Sequence, residues 1–96
     1  MPQNSGNFVD SFDFSRIKTA GDVMDVFIRV ARYYPDQANK LFDKYVDFLQ
    51  STHPGFIEQD VRDLAAANIS CMSCYYGKRV SGLLCNAYDG LRQNKK

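Results

Sequence analysis

Apolar residues recur at helical spacing in four stretches of the chain. The first stretch begins near Thr19, where Thr19 and Asp22, three residues apart, form a start resembling a capping box. Val23, Val26, Phe27, Val30, Ala31 and Tyr34 then share one face, with Arg29 and Arg32 off it. Pro35 ends this helix, because the residue before a proline avoids the α region. Pro35 also suits the first turn of a second helix, with Asp36 favourable beside the helix dipole. The apolar face of that helix is Ala38, Leu41, Phe42, Tyr45, Phe48 and Leu49, and residues 51–55 (STHPG) form a loop. A third helix is predicted over about 56–76, on a stripe of Ile57, Val61, Leu64, Ala65, Asn68, Met72 and Tyr75, with Gly77 as its C-cap. A fourth, over about 78–92, carries Val80, Leu83, Leu84, Ala87, Tyr88 and Leu91, with Leu83 taken as a core position. No strand pattern and no internal repeat is visible. The expectation is an all-α fold, a small bundle of about four helices with an extended N-terminal arm.

The arm divides in two. Residues 1–7 are polar and turn-rich. Residues 8–14 (FVDSFDF) fit neither helical nor strand periodicity, and Phe8, Phe12 and Phe14 are too apolar for a solvated tail. Either the arm drapes over the core, or it binds a partner or exchanges between protomers. The organisation expected is a flexible aromatic arm over 1–18, a helical domain over 19–92 and a disordered tail over 93–96.

At 96 residues the chain fits one domain, and its 7 Phe and 6 Tyr supply one packed core. A chain this short carries more of that apolar surface than a monomer readily hides, which favours a homodimer. With 12 Lys and Arg against 11 Asp and Glu, the net charge of +1 excludes an acidic nucleic-acid mimic and gives no support to a globally basic binder. Charge is nevertheless uneven, because residues 78–96 carry five bases and one acid. No run approaches the roughly 20 apolar residues of a membrane span, and the polar N-terminus does not resemble a secretory signal. The 3 cysteines are an odd number, which argues against a disulfide framework and for a reducing cytoplasm.

Candidate chemistry is sparse. Cys71 and Cys74 form a CxxC, but a thioredoxin-type site needs a βαβ setting. A structural zinc site needs four ligands, and Cys71, Cys74, Cys85 and His53 include no second close pair. The three thiols are expected to be reduced and metal-free, packing as small hydrophobes. His53, the only histidine, has no paired nucleophile, and Asp60 with Asp63 reads as a solvated acidic first turn. Gly77, Gly82 and Gly90 are too far apart for a phosphate loop. No catalytic residue, cofactor or metal is expected, so the chain reads as non-enzymatic.

Two features of the third and fourth helices stand out. Ala66, Ser70, Ser73 and Gly77 are small residues along one side, flanked by Ala67, Cys71 and Cys74, and Ser81, Gly82 and Cys85 match them on the next helix. Small side chains admit another helix closely, either within the chain or from a partner. Tyr75, Tyr76, Lys78 and Arg79 interleave aromatics with bases, which suits nucleic acid or simply a solvated corner. Asn68 interrupts an apolar stripe and must find hydrogen bonds, either with a partner or internally by capping or bracing the hairpin between the two helices. The partner-binding candidates are therefore Asn68, Ser70, Ser73, Tyr76 and Arg79, with Phe8, Phe12 and Phe14 of the arm.

The segment ANISCMSCYY (67–76) resembles one in small helical proteins of bacteriophages and integrated mobile elements. There an Asn-aliphatic start leads through small residues to a Tyr-Tyr end, and a basic helix like that begun by Arg79-Val80 follows. The resemblance covers roughly residues 56–92, with Ser and Cys here in place of more Gly and Ala. It implies a phage or mobile-element setting and no mechanism. The function expected is a protein–protein interaction module, an inhibitor or adaptor of host machinery. The alternative is a nucleic-acid-binding regulator that uses the basic C-terminal segment.

Overall fold

Six helices and two 3-10 turns account for most of residues 5–93, the part described by the computed structural model, and no strand occurs among them. The helices are α1 (Ser5–Ser11), α2 (Ala20–Tyr33), α3 (Ala38–Thr52), α4 (Glu58–Cys74), α5 (Lys78–Ala87) and α6 (Asp89–Gln93). The fold is all-α. The longer helices α2 to α5 make the bundle, and short α1 and α6 close it.

The start of α2 is the capping box read from the sequence. The Thr19 hydroxyl accepts from the Asp22 amide at 3.1 Å, and the Asp22 carboxylate accepts from the Thr19 amide at 3.3 Å. The helix buries Val23, Met24, Val26, Phe27, Val30 and Ala31. Tyr34 then leaves the helical region (φ −136°, ψ 54°), as a residue before proline should. Pro35–Gln37 forms a 3-10 turn rather than the first α turn, and α3 begins at Ala38. Its buried face is Ala38, Leu41, Phe42, Tyr45, Val46 and Leu49.

The N-terminal arm is helical rather than extended. Phe8 and Val9 of α1 and Phe12 just past its end fall on one side at helical spacing, and Val9 is fully buried. The Lys44 ammonium donates to the carbonyls of Val9 and Asp10 at 2.9 and 2.8 Å, satisfying acceptors that a helix end leaves open. Lys40 pairs with Asp10 at 3.1 Å. A 3-10 turn over Phe14–Arg16 then drives Phe14 into the core, with ring centroids 5.1 Å from Tyr45 and 5.9 Å from Phe48. Residues 1–4 of the expected flexible arm and 94–96 of the expected disordered tail lie outside the described residues.

Two expectations for the C-terminal half need correction. The buried face of α4 is Val61, Ala65, Ala66, Ile69 and Ser73, rotated from the expected stripe, while Ile57 and Tyr75 are 65% and 91% exposed. Val61 and Ala65 lie on both stripes; the observed one adds Ala66, Ile69 and Ser73 in place of Leu64, Asn68 and Met72, and its small members let neighbouring helices approach. The fourth helix is also not continuous. Tyr88 adopts an extended conformation (φ −113°, ψ 111°) between α5 and α6. That break lets the buried Tyr88 ring lie against Phe27 and Phe42, at 5.0 and 6.5 Å between centroids. Asn39 of α3 holds the start of α6, accepting from the Asp89 amide at 3.2 Å and donating to its carboxylate at 3.3 Å.

Candidate functional site

The partner-binding residues read from the sequence separate into inner and outer sets. Ser73 is 2% exposed, and its hydroxyl donates to the Ser70 carbonyl at 2.9 Å. Asn68 is half-buried and turns its side chain to the Tyr45 phenol. Burial pushes that phenol up, and the hydrogen bond with Asn68 partly offsets the effect. Asn68 therefore braces α4 against α3. Ser70 is half-buried, and its carbonyl accepts from Ser73 and, at 3.4 Å, from the Cys74 thiol. Phe14 belongs to the core.

The outer set gathers where α4 passes into α5. The last turn of α4 tightens to three-residue closure, with the Tyr75 amide on the Met72 carbonyl at 3.1 Å and the Tyr76 amide on Ser73 at 3.0 Å. Gly77 follows at φ +101°, a conformation that L side chains rarely adopt, and α5 starts immediately. The sharp corner throws Tyr75 into solvent and leaves Tyr76 45% exposed, next to the exposed Lys78 and Arg79. Neither base has an ion pair among the described residues. Helical periodicity puts Tyr75 on the apolar stripe. Its true position depends on where α4 ends, which Gly77 marks.

A second surface lies along the arm. Phe8 and Phe12, both half-buried, join Ile17 and Val26 as the apolar floor of a groove of about 450 Å³. Arg16, Arg29 and Asp25 stand at its edge with Asp13 and Asp22. The two last carboxylates are already engaged. The Ser15 hydroxyl and amide donate to Asp13 at 2.7 and 3.0 Å and hold its carboxyl below the usual range, and Asp22 closes the α2 cap.

The groups with chemical potential do not converge. Cys71 and Cys74 are exposed on α4, Cys85 is half-buried on α5, and all three are free thiols. His53 is tied into its own loop, with Nδ1 3.0 Å from both the Thr52 hydroxyl and the Leu49 carbonyl, and its ring against Phe56. Among the described residues no three His, Cys, Asp or Glu side chains come together as a metal site, and no helix is long and apolar enough to cross a membrane. No protein-family model, curated protein or solved structure matches the chain.

Proposed function

We propose that the chain is a non-enzymatic binding module that docks a protein partner through the α4–α5 corner, with Tyr75, Tyr76 and Arg79 as anchors. The observation that carries this reading is the 91% exposure of Tyr75 beside a half-exposed Tyr76. Tyrosine and arginine are the side chains that most often dominate interface energetics, because they bury a large surface and keep a polar end. The resemblance of residues 67–76 supports a phage or mobile-element setting for the module, with a role as an inhibitor or adaptor of host machinery in the cytoplasm as part of the proposal. A second copy of the chain is the simplest candidate partner, giving a homodimer.

The test compares wild type with Tyr75→Ala/Tyr76→Ala in light scattering and in capture from host lysate. The double variant should keep its melting temperature and lose the partner or the dimer. A captured protein retained equally by both chains would end this reading.

Lys78 and Arg79, exposed and without an ion pair among the described residues, favour a second reading, nucleic-acid binding, in which the bases meet phosphates and the tyrosines stack. A gel shift that weakens steeply with salt and disappears in Lys78→Ala/Arg79→Ala would select it over the first.

A further inference from the structure

Among the described residues five large apolar side chains stand exposed, and four of them flank α4: Phe56 and Ile57 before it, Tyr75 and Tyr76 after it. The two ends of α4 also differ in charge. Asp60 and Asp63, exposed near its start, make no ion pair among the described residues, because the intervening Arg62 is taken up by Asp43 and Glu58. Lys78 and Arg79, just past its other end, are exposed and make none either. The helix dipole accounts for acids at the start of α4. It gives less reason for the bases, because the negative end of α4 and the positive end of α5 meet beside them. It gives no reason for large apolar side chains in solvent at both ends.

The side of α4 that joins these ends is open. At about 100° per residue, Asp60, Asp63, Ala67, Cys71 and Cys74 fall within roughly 80° of arc, opposite the buried face, and all five are exposed. Turned end for end, this side is its own complement in charge: acids come to bases and bases to acids.

We propose that α4 pairs antiparallel with α4 of a second copy of the chain, about a two-fold axis that crosses the helix between Ala67 and Cys71. The proposal rests on the docking reading above and names what the α4–α5 corner meets. With the axis there, residues equally distant from it along the helix come level. Lys78 of one copy then stands level with Asp60 of the other, and Tyr75 with Asp63, and each contact occurs twice. Phe56 and Ile57 lie about one turn beyond Asp60, beside the corner of the second copy. The charges select this pairing over corner on corner, which would set Lys78 and Arg79 against themselves.

The experiment measures the mass of the full chain by light scattering and its dimer constant by sedimentation, in dithiothreitol, with circular dichroism on every variant. Lys78→Glu/Arg79→Glu makes both ends acidic, and Asp60→Lys/Asp63→Lys makes both ends basic. Each variant alone should dimerise about tenfold or more weakly than wild type, since like charges then face each other. An equimolar mixture should recover the dimer as a heterodimer, because both of its contacts join unlike charges. Asp60→Asn/Asp63→Asn, close in size to wild type, should also weaken the dimer, and it carries the test if a reversed-charge chain does not fold. The proposal is overturned by a monomeric wild type, by assembly beyond two copies, by folded aspartate variants that dimerise as wild type does, or by a mixture of folded variants that stays monomeric. If Tyr75→Ala/Tyr76→Ala dissociates the dimer while the aspartate variants keep it, the docking reading stands and this pairing falls. If the tyrosine variant keeps the dimer, the docking reading falls and this pairing with it.

Discussion

The Tyr88 hydroxyl donates to the Phe27 carbonyl at 2.9 Å in the buried centre of the bundle, joining positions 61 residues apart. The contact fixes the break between α5 and α6 to the middle of α2. Removing only the hydroxyl, in Tyr88→Phe, should cost about 1–2 kcal/mol, since the ring still fills its place. Tyr88→Ala should cost about 3–5 kcal/mol. Thermal unfolding checks both, at roughly 4–8 °C per kcal/mol for a domain of this size.

Burial also pushes the phenols of Tyr88 and Tyr45 above the ordinary value of 10.0. The folded chain then holds these protons more tightly than the unfolded chain does. The stability gained is fully present below pH 10 and is lost as pH rises through the folded values. The melting temperature should fall on titration above about pH 10, and less steeply in Tyr88→Phe, which has one raised phenol fewer. An unchanged slope would assign the alkaline transition to other groups.

Gly90 is required by space. A Cβ there would stand 2.6 and 2.7 Å from two ring carbons of Phe42, itself buried. Alanine is the better helix former by about 1 kcal/mol, yet Gly90→Ala should destabilise by about 1–3 kcal/mol through overpacking. In a Phe42→Leu background the same change should cost much less, and a double-mutant cycle measures the difference.

Lys44 clamps the arm. Lys44→Met keeps the aliphatic stem and removes both hydrogen bonds to α1, so it should cost roughly 1–2 kcal/mol. Amide exchange should rise over residues 8–17 and stay unchanged in α4. Lys40→Met removes an ion pair whose partners are both more than half exposed, and should cost at most about 1 kcal/mol.

Leu84, fully buried, and Leu83, half-buried, should respond differently to truncation. Leu84→Ala should lose about 2–5 kcal/mol and Leu83→Ala clearly less. Equal losses in chemical denaturation would show that α5 turns a different face inward.

The pair also shows where sequence reading reaches its limit. Local signals were legible. Thr19 and Asp22 announced their cap, Pro35 its break, and the faces of α2 and α3 followed from large apolar residues at regular intervals. Val46 and Met24 complete those same faces. The phase of α4 was not legible, because packing selects Ala66, Ile69 and Ser73 over Leu64 and Met72, and that choice depends on neighbours far away in sequence. The arm was misread for a similar reason. A seven-residue helix is too short to hold by itself, and α1 relies on Lys44 and Lys40 from α3. For the candidate site, Tyr76 and Arg79 stand in the open as their types suggested, whereas Ser73 faces inward because of the rotated phase, and Asn68, at the margin of the buried face, is spent on the Tyr45 phenol.

The Tyr88–Phe27 contact also sets an order of events during synthesis. A ribosome makes Phe27, Phe42 and Tyr45 well before it makes Leu84, Tyr88 and Leu91, which all lie in the same buried cluster. Until the later residues emerge, the earlier aromatic surfaces lack the part of their cover that Leu84, Tyr88 and Leu91 supply. The nascent polypeptide therefore passes through an interval in which sticky surface is presented to the cell, and that interval is when chaperones have most to act on.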